Sequence, residues 1–79
     1  MLLKPVLLTR HASQKAFKEI IPHEHVVQAV REGMIRHEGR SKFKAVIRKK
    51  GAWIIAVCEE YPDRITVITV IRKQGGLIW

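Results

Sequence analysis

Two hydrophobic periods divide the chain. In "RHASQKAFKEI", residues 10–20, Ala12, Ala16, Phe17 and Ile20 recur at the three- and four-residue spacing of one helix face, while His11, Lys15 and Lys18 point elsewhere. "IIPHEHVVQAVREG" resumes the helical period through Val26, Val27, Val30 and Met34. Pro22 suits the first turn of this second helix, where its missing N–H costs nothing, Glu24 complements the helix dipole, and Gly33 is placed to end the helix. After Gly33 the period falls to two. "MIRHEGR" reads as a strand closed by a glycine turn. "SKFKAVIRK" sets Phe43, Ala45 and Ile47 against Lys42, Lys44 and Arg48, as in a strand with one wet face. "KKG" turns the chain, and "AWIIAVCEE" is apolar on both faces, as a central strand should be. "YPDR" turns it again before "ITVITVIRK", the richest β-branched run. Near the beginning, "KPVLLTR" reads as a short strand with Pro5 at its start or on an edge. The predicted order is β-α-α-β-β-β-β: a single α+β domain over residues 1–79, its two helices packed on one face of a mainly antiparallel sheet.

Charge narrows the choice of partners. The 79 residues carry 15 Lys and Arg against seven Asp and Glu, a formal charge of +8, and 47% of them are hydrophobic, enough for a packed core. Such an excess favours acidic partners, with nucleic acid foremost. It is also concentrated: Arg36, Arg40, Lys42, Lys44, Arg48, Lys49 and Lys50 face only Glu38 within residues 36–50, which is +6 of the total. Lys42, Lys44 and Arg48 share strand parity and form a stripe spaced for phosphates along a backbone. The competing reading is a solvated face that discourages aggregation. No aromatic residue alternates with these cations along the strand, so a base-stacking platform is not expected. The first ten residues, interrupted by Lys4 and Pro5, are too short an apolar run for a leader or a membrane span, which makes the cytoplasm the expected location.

The chemistry-bearing residues are few. His23 and His25 lie about 200° apart on a helix, so one ion cannot readily be gripped by both, and neither metal nor cofactor is expected. Cys58 is the only cysteine and sits in an apolar run, which excludes an internal disulfide and predicts a buried, inert thiol. His11 is the natural acid/base candidate because imidazole titrates near neutral pH. Lys15 follows it by one helical turn, Arg10 adjoins it, and Arg40, Lys42, Lys44 and Arg48 are candidates for phosphate contacts. The plainer reading of His11 is a cap at a strand–helix junction. Tyr61 is a stacking or proton-relay candidate that a Tyr-Pro turn also explains. His37 falls with Ile35 by parity, away from Arg36, Glu38 and Arg40.

"TRHASQKAFKEIIPHEHVVQAVREG", followed by strands closing in "ITVITVI", resembles a family of small bacterial domains related to the BrnT toxins, which share the RelE-like toxin fold. His11-Ala12 matches the family's His-Ala pair, and Lys15 stands where a basic residue is usual. Ile21, Val26 and Ala29 match the helix junction and second helix, and Val67-Ile68-Thr69-Val70 matches the closing strand. The similarity spans most of residues 7 to 71. Glu19 replaces a frequent arginine, and Ile20 stands where glycine is usual. The resemblance implies a RelE/BrnT-like domain and a metal-independent endoribonuclease toxin, held by a cognate antitoxin-like protein, with His11 and Lys15 as catalytic residues. Two other readings remain open: a non-catalytic RNA- or DNA-binding module, and a partner for an acidic protein, with "GGLIW" as an apolar contact.

Overall fold

The computed structural model describes residues 4–76, so Leu77, Ile78 and Trp79 of the expected apolar contact lie outside the described residues. Its elements follow the predicted order: β1 (Val6–Leu8), α1 (Arg10–Lys18), α2 (His23–Glu32), β2 (Met34–His37), β3 (Lys42–Lys49), β4 (Ala52–Glu60) and β5 (Ile65–Gln74). The strands form one sheet in the order β1-β5-β4-β3-β2, with every pairing antiparallel except the parallel one of β1 with β5. The two helices carry the chain from one sheet edge to the other, α1 over β5 and β1, α2 over β4 and β3. Among the described residues, no helix is long and apolar enough to cross a membrane.

Small side chains bring the helices close to the sheet. Ala12 and Ala16 of α1 and Val26, Ala29 and Val30 of α2 pack on Phe43, Ala45, Ile54, Ala56, Cys58, Val67 and Val70. Alanines on both sides of this interface leave little room for a larger residue without strain.

The start of α1 is set by Thr9. Its hydroxyl accepts a hydrogen bond from the Ala12 N–H at 3.1 Å and donates one to the Ile68 carbonyl at 3.0 Å. A bulge in β5 makes this possible. Val57 opposes Thr69 while Cys58 opposes Val67, so Ile68 is the extra residue and its carbonyl is turned toward Thr9. The N-cap is therefore Thr9 and not His11, whose place inside the first turn excludes the capping role.

Two expectations about the helices are corrected. Phe17 and Ile20, read as part of the buried face of α1, are 89% and 80% exposed. Phe17 lies about 140° around the helix from Ala12. Ile20 has left the helix with φ 57°. The Ile21 N–H donates to the Ala16 carbonyl and the Ile20 N–H to that of Phe17, a Schellman closure with isoleucine in the left-handed position that glycine prefers. Met34, read as the last apolar residue of α2, instead opens β2 and is exposed. Gly33 does cap α2, but in an extended conformation (φ −77°, ψ 179°). Space is its reason: a Cβ there would collide with the Val46 carbonyl oxygen and lie 2.6 Å from that of Ala29.

The strand readings hold closely. Lys49 pairs with Ala52 across a two-residue turn in which Lys50 and Gly51 both have positive φ, as a tight hairpin with right-handed twist requires. The "YPDR" turn closes through the Tyr61 N–H and the Arg64 carbonyl at 2.8 Å, and the Arg64 guanidinium lies 4.2 Å over the Tyr61 ring.

Candidate nucleic-acid interface

Among the described residues, one face of the sheet carries no helix. Strand alternation puts Phe43, Ala45 and Ile47 under the helices and turns Lys42, Lys44, Val46 and Arg48 to the open side. Register then extends each position across the sheet. One row holds Arg36, Lys44, Val57 and Thr69, the next Met34, Val46, Ile55 and Ile71, and the last Arg48, Trp53 and Lys73. The middle row is an apolar band bordered by cations. Although no helix covers it, Val46 is only 1% exposed and Ile55 only 6%. Long basic side chains can lay their methylene stems along such a band and keep their charged ends in water.

The charges on this face are partly matched. The Lys44 ammonium lies 3.4 Å from the Glu38 carboxylate, and Lys42 stands directly opposite Glu59, which accepts a hydrogen bond from Ser41. Arg48 stacks 5.4 Å over the Trp53 ring, whose N–H donates to the Gly75 carbonyl at 2.9 Å. Arg40 stands apart from the strand pairs, exposed in the turn between β2 and β3.

The acid/base candidates lie elsewhere. His11, Gln14, Lys15 and Lys18 line one shallow pocket on α1, and none of Arg40, Lys42, Lys44 or Arg48 lines it. Arg10 is the first residue of α1, exposed and outside that pocket. Helix α1 packs over β5 and β1, whereas the stripe lies on β3, beyond β4 and on the other face. His11 and Lys15 do share a site, as their spacing predicts, but the phosphate-contact candidates of the stripe are not part of it. Residues of one parity on β3 cannot face the helices and the open side together. Tyr61, under Arg64 in the β4–β5 turn, does not line the His11 pocket either. His37 follows its predicted parity and tilts against Phe43 at 6.0 Å.

Sequence reasoning missed Trp53 and Lys73 as members of the basic face. No aromatic alternates with the cations along β3, but cross-strand register sets Trp53 directly beside Arg48. Parity within "AWIIAVCEE" was the available signal, and only the register gave it meaning. Cys58 is fully buried, as expected, and burial pushes its thiol pKa up to about 12. Among the described residues, no three His, Cys, Asp or Glu side chains gather as a metal site.

No curated protein and no solved structure matches the chain. A family model described as a domain of unknown function, DUF4258, matches residues 8–72, and with the match covering most of the chain, the protein belongs to the DUF4258 family.

Proposed function

We propose that this protein binds RNA through the open face of its sheet. The observation that carries the reading is the convergence of Arg36, Lys42, Lys44, Arg48 and Lys73 on one helix-free face, around an apolar band and beside Trp53. Cations at strand spacing suit consecutive phosphates, and an indole on the same face gives a base something to stack on. The wide excess of positive charge supports the same partner. The test is a salt titration of single-stranded RNA binding. Affinity should fall linearly on a log–log plot, and each cation removed from Lys42, Lys44 and Arg48 should lower the slope by about one. An unchanged slope in the triple alanine variant would reduce the stripe to a solvated surface.

A second reading, a RelE/BrnT-like endoribonuclease toxin with a cognate antitoxin-like partner, is favoured by the pocket that joins His11 to Lys15 and Lys18. Metal-free RNA cleavage needs a base for the 2′-hydroxyl proton, cations for the phosphorane and a donor to the leaving oxygen. An imidazole beside two ammonium groups supplies those types of group in one place. Growth arrest on induced expression, lost in His11→Ala, supports this reading. A toxic His11→Ala protein removes His11 from it.

A further inference from the structure

A second cationic site lies under the opposite face of the sheet and does not depend on the RNA-binding reading. The first turn of α2, the β3–β4 hairpin and the distal half of β5 meet around a cleft of about 210 Å³. His25, Lys49, Lys50 and Arg72 line it, together with apolar side chains that include Ile21 and Ile54. Register explains the convergence. Arg72 is directly opposite Ile54 on the helix side of the sheet, and Lys49 has the parity of Phe43, Ala45 and Ile47. His25 lies in the first turn of α2, two residues after His23 opens the helix, and lines the cleft from there.

Three features point to an anion. No acidic side chain among the described residues lines the cleft. Among the described residues, none of the four basic groups has an ion-pair partner. The start of α2 is capped by Pro22, which offers no side-chain acceptor, so the first amide groups of that helix have no side-chain cap. Backbone strain is also gathered here. Among the described residues, the two non-glycine positions with positive φ, Ile20 at 57° and Lys50 at 51°, both line the cleft. Like charges held together with no counter-charge are costly unless an anion joins them.

We infer that this cleft binds a phosphate monoester carried on a nucleoside, as a free mononucleotide or as the phosphorylated 5′ end of RNA. A terminal phosphate bears a charge of about −1.5 to −2 at neutral pH. An internal phosphodiester bears a single charge. Three cations and an imidazole around one cleft match the former better. The exposed apolar side chains of Ile20 and Pro22, which also line the cleft, accommodate the body that carries it. With roughly 30 Å³ as the share of one water, the cleft has room for the phosphate and part of the attached sugar or base.

Calorimetric titration with adenosine 5′-monophosphate, adenosine and inorganic phosphate tests this, with thermal midpoints recorded for every variant. The mononucleotide should bind at least about tenfold more tightly than adenosine, since charge-assisted hydrogen bonds to phosphate are the strong ones. Arg72→Ala and Lys49→Ala should each weaken it about tenfold, a loss of about 1.4 kcal/mol. Arg31→Gln, which removes one charge far from the cleft, should not. The proposal is overturned if adenosine binds as well as its monophosphate, if neither binds, if both cleft variants keep full affinity, or if Arg31→Gln loses as much. Comparing a 5′-phosphorylated trinucleotide with its 5′-hydroxyl twin then identifies the source. Preference for the phosphorylated end assigns the site to RNA ends, and equal weak binding beside tight mononucleotide binding assigns it to free nucleotides. Both outcomes uphold a monoester site. Because the mononucleotide is read separately from long RNA, failure here leaves the salt dependence of the open face intact.

Discussion

Arg48 lies over the indole of Trp53, its directly opposed neighbour on β4, with the guanidinium carbon 5.4 Å from the ring centroid. The guanidinium supplies charge and shields the ring's face, so a base that stacks on Trp53 must displace or slide along Arg48. In a Trp79→Phe background, Trp53 emission should change on addition of single-stranded RNA. Trp53→Ala should weaken binding by about 1–3 kcal/mol, the range for loss of one base–aromatic stack. Unchanged emission at saturating RNA, with unchanged affinity in Trp53→Ala, would place the RNA elsewhere.

Thr9 and His11 have separable roles. Thr9→Ala removes the cap on Ala12 and the bond to Ile68, and should cost about 0.5–2 kcal/mol in chemical denaturation. His11→Ala, on the exposed side of α1, should stay within about 0.5 kcal/mol of the wild type. If His11 acts in RNA cleavage, the same variant should lower the cleavage rate by about 10²–10⁴-fold. A large stability loss in His11→Ala would show that the helix depends on it.

Two positions of the backbone are occupied by residues that disfavour them. Ile20→Gly relieves a β-branched residue of its left-handed conformation and gives up little burial, so it should stabilise the protein by about 0.5–1.5 kcal/mol. Lys50→Asn, in the two-residue hairpin, should add a smaller gain in the same direction. A lower thermal midpoint for Ile20→Gly would mean that the isoleucine side chain contributes more than its conformation costs.

Cys58 gives the stability a pH dependence of known sign. Its pKa rises from an ordinary 9.0 to about 12 in the fold because burial disfavours the thiolate. The neutral thiol is common to both states below pH 9, where the contribution is complete. Between the two values only the unfolded chain releases the proton, so stability should fall by about 1.4 kcal/mol per pH unit. Cys58→Ala leaves a small cavity and should begin less stable at pH 7, then close the gap as pH rises above 9. A constant difference across that range would contradict the assignment.

The element order and the two faces of β3 are legible in the sequence because alternation is local: Lys42, Lys44 and Arg48 can only point one way if Phe43 and Ile47 point the other. Phe17 and Ile20 could not be placed by period alone, since the helix closes at Glu19 and the next residue turns left-handed. Gly33 was readable as a helix end, but its reason, the Val46 carbonyl beneath it, comes from a strand thirteen residues further on. The basic face was half legible. Its β3 members share a parity, whereas Trp53 and Lys73 join it through pairings that depend on the whole sheet. The cleft around Arg72 was not legible, because its walls come from three separate stretches of chain.

The parallel pairing of β1 with β5 has a bearing on the order of assembly. β3 and β4 are joined by a tight turn and β4 and β5 by a short one, so the antiparallel meander can form from local contacts. β1 has to wait for Ile65, Thr66 and Val67, some sixty residues later, and Thr9 cannot make its bonds to Val67 and Ile68 until they exist. Long-range closure of this type is slow relative to hairpin formation. During synthesis, the amino-terminal strand and α1 therefore remain undocked until β5 has emerged, leaving the outer edge of the growing sheet open to other strands for that interval.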